Sequence, residues 1–357
     1  MFDTKILRSA PKVLLHDHLD GGLRPATVID IARRIGYRKL PSYVEGELAS
    51  WMVATASRGN LELYLEGFTH TLSVMQTRES LFRVAAECAE DLASDGIIYA
   101  EIRFAPELHL RDGLTTDMVL DSVLAGFAAG SEGTGIRVQL LVCAIRSHAR
   151  SKEMVELALR FRNKGVVGFD IAGSEIGYPP IGHQEAFNLA IDNDFPITIH
   201  AGEVGGSEYI EQAVTKCGAT RIGHGLGLRD NIFKNSDGEH YLGSLASLIL
   251  EKKISLEMCP TSNVHIGAVR SIDEHPIDSF LRLGLCATIN TDNRLMSQTN
   301  LSEEIEMCSL AFGWHWDQFH MLMENAANSS FLPSDQKLEI LSILSQWHSN
   351  QTVNEEN

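Results

Sequence analysis

The stretch that decides the fold is KVLLHDHLD, residues 12–20. Its apolar start is typical of a buried strand, yet His16 and His18 follow with one residue between them, and Asp20 closes the stretch. Because side chains alternate along a strand, the two imidazoles and the carboxylate lie on the same face. This arrangement indicates chemistry at the end of the strand.

Seven further short apolar runs resemble the first, and most lead into a polar or glycine-containing end. They cover residues 97–106, 137–146, 166–173, 196–203, 221–225, 254–260 and 286–292. Several are apolar on both faces, as strands of a covered parallel sheet are. Amphipathic helical patterns separate them, for example over 80–96 and 151–165. Eight strands alternating with helices predict an α/β fold, a (β/α)8 TIM barrel, with a doubly wound open sheet as the alternative.

The gap after the first strand, from about residue 21 to 96, is longer than the others. It holds extra helical sequence such as LELYLEGFTHTLSVM (61–75), which predicts helices inserted after strand 1 that roof one end of the barrel. The chain has no repeat, low-complexity segment or linker, and its C-terminal part is predicted to be helical. We therefore expect a single domain over 1–350 and a disordered tail over 351–357.

Composition narrows the classes of function. The formal net charge of −17 argues against a nucleic-acid partner, because an acidic surface repels phosphate backbones. No apolar run approaches the length of a membrane span, and the start of the chain lacks the core of a signal peptide. The six cysteines are scattered without a CxxC pair, which favours reduced thiols. These features predict a cytoplasmic protein and leave its oligomeric state open.

Polar residues collect at the carboxyl ends of the predicted strands, where barrel enzymes carry out their chemistry. After strand 1, the residues at these ends are Asp170, Gly173, His200, Glu203, His224 and Asp292. Imidazoles and carboxylates from four strand ends predict one shared site. Nitrogen and oxygen ligands without cysteine suit a catalytic zinc or a neighbouring first-row metal. The residues alone therefore predict a metal-dependent hydrolase, with Glu203 as a nearby proton carrier. Glu101 and Arg103, on strand 2, are predicted to pair within the barrel.

The same segments resemble the adenosine deaminases of the amidohydrolase superfamily. The matching motifs include PKVLLHDHLDGGLRP (11–25), ITIHAGE (197–203), RIGHG (221–225), LEMCPTSNVHIGAV (256–269) and INTDN (289–293), in this order. The resemblance implies a (β/α)8 barrel with one catalytic zinc per chain. It also implies a small-molecule purine nucleoside as substrate: adenosine and 2′-deoxyadenosine would be hydrolysed to inosine, 2′-deoxyinosine and ammonia in purine salvage or catabolism.

The resemblance further implies a role for each matching residue. The zinc ligands would be His16, His18, His200 and Asp292. Glu203 would protonate purine N1, and His224 would orient the attacking hydroxide. The substrate contacts would come from His18, from Asp20 to the ribose 5′-hydroxyl, from the Gly173 N–H to purine N3 and from Asn293 to purine N7.

Two positions depart from the commoner family pattern. Asn293 stands where an aspartate is usual, and Ser174 replaces another aspartate and receives no role. Asp20, where related adenine deaminases carry glutamate, leaves room for ribose, and its charge would repel a 5′-phosphate. The alternative is a deaminase of a modified adenosine (5′-thio or N6-substituted) or of adenine. A catalytically inactive nucleoside-binding or extracellular signalling protein would need a broken site residue, and none is broken.

Overall fold

A computed structural model describes residues 2–236 and 240–355 and contains ten strands within these ranges. The strands are β1 (Lys12–His18), β2 (Ile97–Phe104), β3 (Arg137–Ile145), β4 (Val166–Ala172), β5 (Thr198–Ala201), β6 (Arg221–His224), β7 (Ile232–Lys234), β8 (His240–Leu242), β9 (Ser255–Met258) and β10 (Ala287–Ile289). All eight predicted strands are present, each trimmed by zero to three residues at either end. The antiparallel pair β7–β8 is an addition that the sequence analysis did not predict.

The eight parallel strands form two sheets, in the orders β1-β2-β3-β4 and β5-β6-β9-β10. Isolated bridges join the edges of the two sheets. Phe169 of β4 pairs with Ile197, just before β5, and Asp17 of β1 pairs with Asp292, three residues after β10. The strands therefore follow one another around a ring in chain order. This confirms the predicted (β/α)8 architecture over the doubly wound sheet, in which the strand order reverses at a switch point.

Helices cover the outside of the barrel and part of its carboxyl end. They are α1 (Thr4–Ser9), α2 (Pro25–Ile35), α3 (Glu45–Ala56), α4 (Leu61–Tyr64), α5 (Phe68–Val74), α6 (Arg78–Ser94), α7 (Thr116–Ser131), α8 (Ser151–Phe161), α9 (Gln184–Asp192), α10 (Ser207–Thr215), α11 (Ser244–Glu251), α12 (Pro260–His265), α13 (Ile277–Arg282), α14 (Arg294–Ser297), α15 (Leu301–Phe312), α16 (Trp316–Ser329) and α17 (Ser334–Glu355). The predicted tail over 351–357 overlaps the end of α17, and its last two residues lie outside the described part of the chain. The disordered tail and the single domain over 1–350 stay predictions.

The long helix α6 forms for reasons that are visible in the sequence. Thr77 precedes it and accepts the backbone N–H of Ser80, which caps the first turn. Its apolar stripe packs against α7 at very short range: a Cβ on Gly126 would lie 2.3 Å from the Phe82 carbonyl oxygen. Glycine at this position therefore allows the two helices to approach each other closely.

The insertion after β1 is helical, as predicted, but residues 61–75 do not form one helix. A single 3₁₀ turn, Leu65–Gly67, separates α4 from α5. A Cβ on Gly67 would lie 2.8 Å from Met296 Sδ in α14, so the turn packs directly against the helix that follows β10. The insertion thus lies over the carboxyl end of the barrel. Residues 240–242 form the short strand β8, and the next helix begins at Ser244.

A layer of charged side chains fills the interior of the barrel. This charged layer consists of Glu101, Arg103, Asp170, Arg221 and Glu257, all of them buried. Arg103 contacts Asp170 and Glu257, each at 2.7 Å, and Arg221 contacts Glu101 at 2.6 Å and Glu257 at 2.7 Å. Glu101 and Arg103 therefore form ion pairs within the barrel, as predicted, but with other residues and not with each other. Residues two apart on a strand are separated by about 6.5 Å, and each of these side chains finds a partner on another strand instead.

Within residues 2–236 and 240–355, no helix combines the length and the apolar character that crossing a membrane requires. The cytoplasmic location stays a prediction.

Candidate active site

Five polar side chains meet at the carboxyl ends of β1, β5, β6 and β10. One ligand atom from each of His16, His200, His224 and Asp292 lies within 4.8 Å of the other three, and all four residues are buried. His18 joins them, because its Nε2 lies 3.2 Å from His200 Nε2 and 3.4 Å from Asp292 Oδ1. Imidazole nitrogens and a carboxylate oxygen at such separations can share one cation.

Carboxylates of the charged layer hold two of these imidazoles from behind. Glu257 Oε2 accepts a hydrogen bond from His16 Nδ1 at 2.8 Å, so the His16 Nε2 lone pair faces Asp292. That Nε2 atom is buried and has no hydrogen-bond partner among the described residues. Asp170 Oδ2 lies 2.9 Å from His200 Nδ1. A carboxylate behind the imidazole is typical of metal-ligating histidines, so this donor set fits zinc.

The backbone is strained at two of the site residues. His224 has a φ of +62° and Asp292 a φ of +56°, both in the left-handed region. Such a conformation costs a non-glycine residue about 1–3 kcal/mol and persists where the surrounding structure imposes it. Pairing with β1 imposes it on Asp292, whose N–H donates to the His16 carbonyl and whose carbonyl accepts the His18 N–H. Strain at these two positions supports a functional site at this end of the barrel.

Glu203 lies at the edge of this cluster, with its Oε1 3.5 Å from His224 Nε2. Burial, together with the negative charges of Asp292 and Glu175, raises the pKa of the Glu203 carboxyl well above its ordinary value. A raised pKa favours the protonated carboxyl, the form that can deliver a proton to a base placed beside it. Asp292 behaves in the opposite way: burial favours its neutral form, but the neighbouring imidazoles of His16, His224 and His18 hold its pKa well below the ordinary value.

The loop that carries Glu203 is fixed by a second carboxylate. Glu175, buried beyond the end of β4, accepts four consecutive backbone N–H groups. They belong to Gly202 at 2.6 Å, Glu203 at 3.0 Å, Val204 at 2.9 Å and Gly205 at 2.7 Å. Hydrogen bonds to an ionised acceptor are stronger than those to a neutral one, so Glu175 determines where the Glu203 backbone lies.

Several buried polar atoms near these residues have no partner in the part of the chain that the structure describes. They are Asp20 Oδ1, Tyr64 Oη, Asn293 Oδ1 and Ser297 Oγ. Tyr64, from α4 of the insertion, lies close to Ser297 and Asn293. Burial raises the pKa of the Asp20 carboxyl to about 7. Because buried polar groups are normally hydrogen-bonded, unpaired atoms here indicate a place for a polar ligand.

Comparison with known proteins agrees with this geometry. The family model described as adenosine deaminase matches residues 11–347. The adenosine deaminase of Mycobacterium marinum is 54% identical to this chain over 340 residues, which cover 94% of each protein. That of Mycobacterium tuberculosis is 53% identical over 340 residues, covering 94% of this chain and 93% of the relative.

The chain belongs to the adenosine deaminase family. It is therefore an enzyme, an aminohydrolase, as the sequence motifs predicted. Among solved structures, an Arabidopsis N6-mAMP deaminase superposes with a TM-score of 0.82 at 25% identity, covering 96% of this chain and 99% of the other. The adenosine deaminase family thus accounts for nearly the whole length of the chain.

The structure brings the predicted site residues to the carboxyl end of the barrel. Gly173 follows β4 with a φ of +100°, a conformation that favours glycine. Asn293 packs against Gly21: a Cβ on Gly21 would lie only 1.9 Å from Asn293 Oδ1. His18 is the predicted fourth ligand, but His224 also lies within ligand distance of the cluster. Distances alone therefore do not distinguish which of the two histidines would bind the metal. The individual roles of these residues stay predictions.

Three buried polar residues of the site were missed by the sequence analysis. They are Glu175, Asn263, which contacts His224, and His275, which contacts Asn263. Glu175 lies three residues after β4 and Asn263 five residues after β9, in α12, so the rule that strand ends carry the chemistry could have found them. His275 lies in the connection before α13 and gives no such indication.

Proposed function

We propose that this protein is a zinc-dependent deaminase of adenosine and 2′-deoxyadenosine, which forms inosine or 2′-deoxyinosine and ammonia. The observation that carries the proposal is the convergence of His16, His18, His200 and Asp292 beside a buried Glu203 whose pKa is raised. When bound, zinc supplies Lewis-acid activation of a water molecule. The unpartnered His16 Nε2 and the carboxylates behind the imidazoles support such a cation in the site.

In this proposal Glu203 delivers its proton to purine N1. Protonation at N1 withdraws electron density from C6 and so makes that carbon more easily attacked by water. The raised pKa of Glu203 matches this role, since a general acid must hold its proton until the substrate arrives. His224, with Nε2 3.5 Å from Glu203 Oε1, orients the attacking water. The two protons of the water complete the balance: one goes to the C6 amino group, which leaves as ammonia, and the other restores the Glu203 carboxyl.

The remaining residues position the nucleoside. Asp20 accepts a hydrogen bond from the ribose 5′-hydroxyl, and the Gly173 N–H faces purine N3. Asn293 donates its amide N–H to N7 and, unlike an aspartate, needs no proton to do so. His18 contacts the substrate as well as the metal. The unpaired buried oxygens of Asp20 and Asn293 support these contacts.

An N6-substituted adenosine is the second candidate substrate. The Arabidopsis relative is an N6-mAMP deaminase, and Asn293 departs from the commoner family residue. The 5′-phosphate of N6-mAMP, however, would lie beside the buried Asp20 carboxyl in this protein. A 5′-thio group would leave Asp20 without a hydrogen-bond donor, which a polar site of this kind rejects strongly.

The test is a substrate panel with parallel metal analysis of the same preparation. It contains adenosine, 2′-deoxyadenosine, adenine, AMP, 5′-methylthioadenosine and N6-methyladenosine, with release of the amine as readout. We expect adenosine and 2′-deoxyadenosine to show the highest kcat/KM and zinc to be present at one ion per chain. Faster turnover of adenine or of a modified nucleoside would contradict the substrate assignment.

The ligand assignment has its own test. His200→Ala is expected to lower zinc content together with activity, because a metal site loses affinity when a ligand is removed. His240→Ala, on the exposed β8, is the matched control and should leave both unchanged. Unchanged zinc stoichiometry in His200→Ala would remove His200 from the ligand set.

A further inference from the structure

A short chain of hydrogen bonds leads from a backbone amide to His224. It begins at Ile277, whose N–H lies 3.2 Å from His275 Nδ1. A backbone N–H can only donate, so His275 Nδ1 accepts and the hydrogen of the neutral ring is on Nε2. Burial and the charge of Arg229 lower the pKa of His275 to about 3, so its ring is neutral at physiological pH.

The next member of the chain is Asn263. His275 Nε2 lies 3.1 Å from Asn263 Oδ1 and donates to it, which places the amide nitrogen on the opposite side. The Asn263 backbone is also fixed, because its N–H donates to the Cys259 carbonyl and its own carbonyl accepts the Ala268 N–H. Asn263 is fully buried, so its side chain is held at both ends.

The amide nitrogen, Asn263 Nδ2, lies 3.0 Å from His224 Nδ1. An amide nitrogen donates and does not accept, so His224 Nδ1 must be the acceptor. We propose that His275 and Asn263 are positioning residues that hold His224 in the tautomer with its hydrogen on Nε2. Every donor along the path from Ile277 to His224 then points in the same direction.

This tautomer decides what His224 can do. Its Nε2–H points towards the side where Glu203 Oε1 lies, 3.5 Å away. There it donates a hydrogen bond to the attacking oxygen, and this role rests on the proposed function. His224 is then a donor to developing negative charge and not a base. With Nδ1 occupied and a hydrogen on Nε2, the neutral ring has no lone pair for a cation. The fourth ligand is therefore His18.

Asn263→Asp tests the proposal with a nearly isosteric change. A carboxylate only accepts, so the hydrogen of His224 moves to Nδ1 and the donor on Nε2 is lost. Removing one such donor costs about 10²–10³-fold in kcat, and we expect KM to change by less than about threefold and zinc content to be unchanged. Asn325→Asp is the matched control: Asn325 donates to the Ala287 carbonyl at 2.9 Å, far from the site, and kcat should stay within about twofold.

His275 offers a rescue experiment that does not depend on Asn263→Asp folding. His275→Gln keeps a side-chain N–H that can donate to Asn263 Oδ1, whereas His275→Leu has none. The glutamine variant should keep at least about tenfold more kcat than the leucine variant, in line with the loss of one hydrogen-bond donor. Equal kcat in the two variants would overturn the proposal.

The direct readout is ¹⁵N NMR of histidine-labelled, zinc-loaded protein, with the His224 signals assigned by comparison with His224→Gln. The expected spectrum shows a protonated Nε2 and an unprotonated Nδ1 in the wild type, exchanged in Asn263→Asp. An unprotonated Nε2 in the wild type, or wild-type kcat in Asn263→Asp, would overturn the proposal. If the wild type does not deaminate adenosine, the proposed function fails, but the spectrum still decides the tautomer.

Discussion

Two buried polar regions of this barrel differ in how far their charged and polar groups find partners within the chain. In the charged layer, every carboxylate pairs with an arginine at 2.6 or 2.7 Å. In the candidate active site, His16 Nε2, Asp20 Oδ1 and Asn293 Oδ1 have no partner among residues 2–236 and 240–355. A buried polar group is costly unless it is paired. The carboxylates of the charged layer are thus all paired within the chain, although Arg103 Nε and Arg221 Nη2 have no hydrogen-bond partner among the described residues. The unpaired site atoms are acceptors, which a cation and a polar ligand could satisfy.

The two regions touch at two histidines. Glu257 contacts both arginines of the charged layer and also His16, and Asp170 contacts Arg103 and His200. A buried ion pair is weak evidence for stability, because desolvation offsets most of the Coulomb gain. The charged layer has a second effect here, since it orients the imidazoles from behind. The comparison therefore predicts that mutations in the site mainly reduce activity and mutations in the charged layer mainly reduce stability.

The largest effect is expected for Glu203→Gln. An amide cannot deliver a proton, so kcat should fall by about 10³-fold, while zinc content and the free energy of unfolding stay near wild type. Steady-state ammonia release and urea unfolding measure the two quantities. Glu208→Gln, at an exposed position on α10, is the matched control. A loss of activity below tenfold would remove Glu203 from the proton-transfer role.

Arg221→Met should show the reverse pattern. It leaves the buried Glu101 without its arginine, and breaking a buried ion pair costs about 3–5 kcal/mol in the free energy of unfolding. Because Arg221 contacts no site histidine, kcat per folded molecule should change by less than about threefold. Arg282→Met, which breaks a solvent-exposed pair with Asp278, is the matched control and should leave the free energy of unfolding near the wild-type value. An Arg221→Met enzyme that is stable but inactive would contradict the prediction that mutations in the charged layer mainly reduce stability.

Glu175→Gln tests a residue that belongs to neither region alone. It replaces a carboxylate that accepts four N–H groups by an amide, and a hydrogen bond to a charged group contributes about 1.5–3 kcal/mol. If this energy positions the Glu203 loop, kcat should fall by about 10- to 100-fold with a smaller change in KM. Kinetics and zinc analysis measure this, with Glu175→Asp as the conservative variant. A change confined to unfolding stability would make Glu175 purely structural.

The smallest effect is a pH dependence of stability that arises from Lys12, at the opposite end of β1 from the histidines. Lys12 Nζ donates to the carbonyls of Leu7 at 2.7 Å and Ala10 at 2.9 Å, and burial lowers its pKa from 10.5 to about 8, partly offset by Asp95. Between these pKa values the unfolded chain binds more protons, so stability rises as the pH rises. From pH 8 to 9 the wild type should gain about 1 kcal/mol relative to Lys12→Met in urea unfolding. A constant difference between the two proteins would contradict the buried charge.

The sequence predicted the features that depend on local pattern, such as the strands and the residues at their ends. It did not predict the contacts that depend on how strands are arranged around the barrel. His16, His200, His224 and Asp292 could be placed together because parallel strands end on the same face of a barrel. The support of His16 by Glu257 could not be predicted, because it depends on the register across the ring. The ion-pair partners of Glu101 and Arg103 could not be predicted for the same reason. His275 reaches the site through Asn263, and its position in the sequence carries no period that would reveal this.

The bridge between Asp17 and Asp292 joins the first and last strands of the ring. His16 and His18 lie on one side of this junction and Asp292 on the other, so the ligand cluster straddles the place where the two ends of the barrel meet. During synthesis on the ribosome, the histidines emerge early and their carboxylate partner emerges last. A nascent or truncated chain that stops before Asp292 therefore has the three histidines without their carboxylate, and the cluster is complete only once the first and last strands have met.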